Sequence, residues 1–269
     1  MPFVAINDIV IRYDVDGADS RKPVVVLINS LGTDARIWNH VIPKLAGDHV
    51  VVSYDKRGHG LSDLGNPPYT IEDHAADLAG LLDHLGYAGA IVCGLSVGGL
   101  IAQALYAARP DLVRALVLSD TAHKIGTAEM WAKRIAQVEA HGIGSILEDI
   151  MSRWFTPVYR TAENAAYRGY CNMLLRQPVT GYSGTCAAIR DADFTEAARH
   201  IAVPTLCIVG AEDGSTPPDM VRSLADLIAH ARYHVIDGAG HIPCVEAPAA
   251  FTAVLRDFLA QLPPKSPGD

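Results

Sequence analysis

The chain reads as one α/β domain: a mostly parallel sheet of eight strands flanked by helices, interrupted after the sixth strand by a helical insertion. Three observations predict this. Over residues 1–121, short β-branched apolar runs alternate with helix-spaced segments, as strands buried on both faces alternate with the helices that cover them. Over 122–198 the alternation stops, and the pattern is helical, holding two of the three tryptophans. Over 199–269 the alternation resumes. A length of 269 residues suits one large domain with an insertion better than two full domains.

The elements follow in order. Residues 3–6 and 9–15 alternate as strands, and 24–29 is a continuous run typical of a buried strand. Residues 37–45 have helical spacing, with Pro43 interrupting it. Residues 50–54 form the fourth strand. Thr70 opens a helix with an N-cap hydroxyl and an acidic first turn, and Gly86 ends it near Leu85. Strand 90–93, helix 97–108 and strand 115–119 follow. Within the insertion, Pro157 and Pro178 break the helical pattern into short pieces. Strand 204–210, helix 217–229, strand 232–236 and helix 247–262 complete the domain, and 263–269 reads as a frayed tail.

Composition excludes several classes of function. A hydrophobic content of 49% with 19% charged residues is globular. A net charge of −8 disfavours nucleic acid and anionic membranes. No apolar run reaches the ~20 residues that a membrane span needs, and the first residues lack a signal-peptide pattern. The five cysteines show no C-x-x-C pair, and Cys93 and Cys207 fall within strands, so a reduced, cytoplasmic setting is expected.

The chemistry starts at Gly94-Leu95-Ser96-Val97-Gly98. A strand runs into this segment and a helix leaves it at once, the sequence form of a nucleophile elbow. If position 96 is the nucleophile, its being serine excludes aspartate-nucleophile chemistry. A serine hydroxyl needs a base, and the base an orienting acid, both on loops at the carboxyl ends of later strands. Asp213 follows the strand at 204–210, and His241 follows the strand at 232–236, in the chain order Ser, Asp, His. Asp120, which also ends a strand, and Glu212, next to Asp213, are alternative acids. A tetrahedral intermediate needs two backbone N–H donors. Val97 follows the nucleophile, and Leu31 lies in Asn29-Ser30-Leu31-Gly32-Thr33 after the third strand. The segment Asp55-Lys56-Arg57-Gly58-His59-Gly60-Leu61-Ser62-Asp63 reads as a tight polar turn held by its glycines and charges.

These motifs give the chain a resemblance to the α/β-hydrolase superfamily over nearly its whole length. Within it, the chain resembles the 3-oxoadipate enol-lactone hydrolases of the β-ketoadipate pathway. The narrower resemblance rests on Asn29-Ser30-Leu31-Gly32-Thr33-Asp34, on the Asp55–Gly60 turn and on Ser119-Asp120-Thr121-Ala122. It extends through Lys124-Ile125-Gly126-Thr127-Ala128-Glu129-Met130-Trp131, Ala187-Ala188-Ile189-Arg190-Asp191-Ala192-Asp193 and Gly238-Ala239-Gly240-His241. Many hydrolases of the fold carry His-Gly where this chain has Asn29-Ser30, which leaves the backbone donor in place. The resemblance implies the α/β-hydrolase fold, with a core of 1–121 and 199–269 and a cap of 122–198. It also implies a serine lactonase working without cofactor or metal.

The substrate implied is a small anionic lactone, which needs a cation near the pocket. The insertion is the relatively basic part, with nine Lys and Arg against eight Asp and Glu between Ala122 and His200. Trp131 and Trp154 are expected to wall the pocket and Arg134, close to Trp131, to grip the carboxylate, with Lys133, Arg153 and Arg190 as other cations. Another carboxylesterase, or a C–C bond hydrolase of the same fold, would keep the same triad. A receptor that binds without turnover would tolerate its loss.

Overall fold

A computed structural model describes residues 1–19 and 21–263. All but its first residue of the segment read as a frayed tail, 264–269, lies outside the described residues. Eight strands form one sheet: β1 (Phe3–Ile6), β2 (Ile9–Asp16), β3 (Val24–Ile28), β4 (Val50–Tyr54), β5 (Ala90–Leu95), β6 (Val113–Ser119), β7 (Thr205–Gly210) and β8 (Arg232–Ile236). Their spatial order is β1-β2-β4-β3-β5-β6-β7-β8. β1 and β2 are antiparallel to their neighbours, and every pairing from β4 to β8 is parallel. β3, β4, β5 and β7 are buried along their whole length, which is why they read as unbroken apolar runs.

The helices are α1 (Ile42–Leu45), α2 (Ile71–Leu85), α3 (Val97–Ala108), α4 (Ala128–His141), α5 (Leu147–Trp154), α6 (Ala165–Leu175), α7 (Val179–Asp191), α8 (Thr195–Arg199), α9 (Pro218–Leu227), α10 (Pro243–Glu246) and α11 (Pro248–Ala260). Thr70 caps α2 through a reciprocal capping box with Asp73, and Gly86 closes the helix in a left-handed conformation. The helix expected over 37–45 is two pieces. Asp34 accepts from the Arg36 N–H and starts a 3₁₀ turn, Ala35–Trp38, and Pro43 then sits in the first turn of α1, where its missing N–H costs nothing. The last predicted helix, 247–262, is α11, Pro248–Ala260, and a short α10 outside that range precedes it, with Pro243 and Pro248 each opening a helix.

Helices α4 to α7 lie between β6 and β7. Their main internal pair is α4 on α7, while the short α8 packs back against α3 and α9. Two seams join them to the sheet. At one, α7 meets the turn after β4, where a Cβ on Gly181 would overlap the Gly58 carbonyl. At the other, the end of α5 bonds to two sheet-edge loops: Gly214 N–H donates to Arg153 O (3.2 Å) and His241 N–H to Trp154 O (2.9 Å). Glu246 reinforces that seam by accepting from Thr156 N–H (3.0 Å) and Gly240 N–H (2.8 Å). The five cysteines are free thiols. Among the described residues, no helix is long and apolar enough to cross a membrane.

Candidate active site

Ser96 sits between β5 and α3 at φ 59° and ψ −118°, a conformation few side-chain-bearing residues adopt. β5 runs two residues further than the sequence suggests, because Gly94 and Leu95 still pair with Leu118 and Ser119. The chain must then reverse into α3 at once. A Cβ on Gly94 would overlap the Gly98 carbonyl, and one on Gly98 would come within 2.6 Å of Ile28 O. The surroundings fix the strained residue: Ser96 N–H donates to Ser119 O (2.9 Å), and Ser96 O accepts from Gly99 N–H (2.8 Å) and the Thr121 hydroxyl (2.6 Å). Val97 opens α3, so its N–H has no intrahelical acceptor and lies at the positive end of the helix dipole.

Asp213 lies in the turn after β7, and His241 in the turn between β8 and α10. His241 Nδ1 stands 2.9 Å from both Asp213 carboxylate oxygens. A carboxylate there holds the proton on Nδ1 and leaves Nε2 as the base. The Asp213 carboxylate also accepts from Ser215 N–H (2.7 Å), Thr216 N–H (3.0 Å) and the Thr216 hydroxyl (2.7 Å). Burial alone would raise this acid; His241 and the Thr216 donors outweigh that and hold it below the ordinary carboxylate range.

The alternative acids fall elsewhere. Glu212 is exposed. Asp120 is fully buried behind Asp213, where it accepts from the Ser119 hydroxyl (2.6 Å) and Gly210 N–H (2.9 Å). Burial, reinforced by the charge on Asp213, drives Asp120 well above the usual carboxylate range, so Asp120 is the more readily protonated acid of the pair. Asp120, Asp213 and His241 bring ligand atoms within 4.8 Å of one another. The Asp213 oxygens already serve four donors, which suits the orienting of His241 better than the binding of a metal.

Ser96, His241, Thr216 and Leu31 open on one cavity of about 160 Å³, roofed by the insertion. Trp131, Trp154 and Arg134 line it, as does Arg153; Lys133 and Arg190 do not. Trp131 is buried and donates through Nε1 to Ile125 O (2.6 Å). The Arg134 guanidinium lies 5.0 Å from the centre of the Trp131 ring and 3.7 Å from Asp149 Oδ2. Arg153 is closer to Asp149, at 3.0 Å. Arg190 pairs with Asp191.

Sequence reasoning passed over Tyr182. On α7, the residue after the Gly58–Gly181 seam, it lines the cavity, and its buried hydroxyl has no hydrogen-bond partner among the described residues. Burial raises this phenol, and the nearby Arg134 opposes the rise. The only hint in the sequence is that Tyr182 lies between Gly181 and Ser183-Gly184, small residues that let a helix approach closely. Leu31 lines the cavity after β3, as expected, and the Asp55–Asp63 turn holds that loop in place. Lys56 Nζ donates to Ser30 O (2.6 Å), and Gly32 N–H donates to His59 Nε2 (3.0 Å).

Known proteins resemble this chain in sequence and fold. Residues 25–254 match the model of the alpha/beta hydrolase family. The chain is 33% identical to 3-oxoadipate enol-lactonase 2 of Acinetobacter baylyi over 256 residues, 94% of this chain and 95% of that protein. Among solved structures, the enol-lactonase from Burkholderia xenovorans LB400 superposes with a TM-score of 0.93 at 37% identity, covering 97% of this chain and 100% of that one. A thermophilic esterase from Thermogutta terrifontis superposes with a TM-score of 0.88 at 27% identity, covering 94% of each chain.

Proposed function

The chain belongs to the alpha/beta hydrolase family, and on that premise we propose that it is a serine lactonase that opens 3-oxoadipate enol-lactone to 3-oxoadipate. The observation that carries the reading is the bond from His241 Nδ1 to Asp213 at 2.9 Å beside a cavity that the strained Ser96 also lines. Ser96 Oγ attacks the ring carbonyl carbon while His241 Nε2 takes its proton. The Leu31 and Val97 N–H groups hold the oxyanion. Collapse of the tetrahedral intermediate breaks the ring C–O bond. The leaving oxygen departs as an enolate, which takes the proton from His241 and relaxes to the ketone. Water deprotonated by His241 then releases the acyl group from Ser96, with Asp213 holding the imidazole throughout.

The size and lining of the cavity support the substrate class. Its 160 Å³ falls below the roughly 300–1,000 Å³ of pockets for drug-sized ligands. Trp131 and Trp154 offer apolar walls to the ring, and Arg134 offers a cation to the carboxylate arm, with the Tyr182 hydroxyl beside it. The second reading, a general carboxylesterase, draws on the likeness to the Thermogutta terrifontis esterase.

A direct assay separates the two. Wild type is expected to turn over the enol-lactone with a kcat/KM well above that for a neutral aryl ester, and Ser96→Ala to lose at least about 10⁴-fold on both. Equal kcat/KM on the two substrates would favour the esterase. Activity surviving in Ser96→Ala would overturn the mechanism.

A further inference from the structure

Lys56 is buried to 1% exposure, and among the described residues no carboxylate lies within 4.0 Å of its ammonium. An unpaired buried charge is costly. Burial accordingly depresses its pKa well below that of an ordinary lysine, against the pull of Asp55 and Asp34. The groups around Lys56 have other partners. Asp55 already accepts from Ala35 N–H (2.9 Å) and Leu61 N–H (3.0 Å). Ser30 O, the hydrogen-bond acceptor of Lys56, is already served by the Thr33 hydroxyl (2.9 Å) and Thr33 N–H (3.3 Å).

The geometry suggests a use for it. Ser30 C=O and Leu31 N–H belong to one peptide group, whose atoms are planar and share electrons by resonance. A Lys56 N–H donated to the oxygen at 2.6 Å draws density from the nitrogen and makes the Leu31 N–H a stronger donor. The next peptide is held from the same turn, since Gly32 N–H donates to His59 Nε2. We propose that Lys56 is a positioning residue of the oxyanion hole, orienting and polarising the Leu31 N–H through the Ser30 carbonyl. This inference rests on the reading that Leu31 N–H is an oxyanion donor.

The test compares wild type, Ser96→Ala, Lys56→Met and Lys56→Gln in the full chain. Hydrolysis of p-nitrophenyl acetate reports turnover, and phenylboronic acid, which adds to the serine as a tetrahedral adduct, reports the oxyanion hole. Lys56→Met is expected to lower kcat about tenfold, less than the roughly 10²–10³ lost when a donor is deleted outright. KM stays within about twofold, and boronate inhibition weakens by the same factor as kcat. Lys56→Gln keeps an N–H donor on a shorter side chain and falls between the two, and it decides the matter alone if Lys56→Met does not fold. An unchanged kcat in Lys56→Met, a fall in kcat with boronate affinity unchanged, or a Lys56→Gln equal to wild type overturns the role of Lys56 while leaving the serine mechanism standing. Activity retained in Ser96→Ala overturns both.

Discussion

At the carboxyl edge of the sheet, Ser96 is held in a strained backbone conformation by three hydrogen bonds, and Asp213 by four donors. In the insertion above, Arg134 rests on an aromatic ring at 5.0 Å and a carboxylate at 3.7 Å. The edge is built from backbone geometry, in which a single atom too many is a collision. The insertion is built from side chains on helices, which can shift and repack. Reaction class therefore belongs to the first region and substrate choice to the second. The two meet where Trp154 O accepts from His241 N–H and where Gly181 abuts Gly58.

The largest expected effect breaks the edge at its acid. Asp213→Asn removes the charge that fixes the His241 tautomer, and kcat is expected to fall about 10⁴-fold with the fold intact. Burial favours the protonated form of Asp120, and its oxygens accept from the Ser119 hydroxyl and Gly210 N–H, so Asp120→Asn keeps an acceptor in place and is expected to cost less than about tenfold. Steady-state kinetics on one ester decide between them. Equal losses would mean that the two acids share the charge and that Asp213 alone is not the orienting group.

Backbone constraint predicts the next contrast. Gly94→Ala forces β5 and α3 apart at the elbow and should cost about 3–4 kcal/mol of stability together with the activity. Gly169, in α6 of the insertion, has open space around it, and Gly169→Ala should instead stabilise by about 0.5–1 kcal/mol. Urea unfolding of the two variants measures both. A tolerated Gly94→Ala would show that the elbow is not the rigid part.

Acid should loosen the base of the roof. His59 and His74 are fully buried, and burial holds both well below the ordinary histidine pKa, so folding favours their neutral forms. His74 Nε2 lies 3.5 Å from the Thr185 hydroxyl of α7, at the junction of α2 with the insertion. The unfolded chain protonates both below about pH 6.5, so their contribution is complete above that pH and declines as pH falls. By pH 5 each costs at most about 2 kcal/mol, or roughly 2–4 °C of Tm per kcal/mol. His74→Phe should remove about half of the histidine-linked fall in Tm between pH 7 and pH 5. An unaltered pH dependence in that variant would place the titration elsewhere.

How much of this was legible in the sequence divides along the same line. The positions of Ser96, Asp213 and His241 after β5, β7 and β8 could be read because strand ends, small residues and chain order leave their marks locally. The helix expected over 37–45 failed because apolar spacing does not register that Asp34 caps a 3₁₀ turn or that Pro43 begins a second helix. Lys56 read only as part of a polar turn, since its acceptor lies 26 residues away and is brought near by the parallel register of β3 on β4. Tyr182 left only the small residues on either side of it as a sign. Its place in the cavity follows from how α7 seats on Gly58, a tertiary fact with no periodic signature.

The smallest predicted effect bears most directly on the substrate. The Arg134 side chain is 13% exposed, lines the cavity and is only loosely paired, because Asp149 lies nearer to Arg153. A cation so placed can bond a ligand carboxylate without first breaking a strong ion pair. Arg134→Ala should therefore lower kcat/KM on the enol-lactone about tenfold, or ~1.4 kcal/mol, chiefly through KM. The same variant should leave a neutral aryl ester within about twofold, since that substrate presents no carboxylate. A loss under about threefold on the lactone would remove Arg134 from the anion subsite. Equal losses on both substrates would instead make it a structural prop for Trp131, over whose ring its guanidinium lies. Either result would leave the strand edge untouched and relocate the choice of substrate within the insertion.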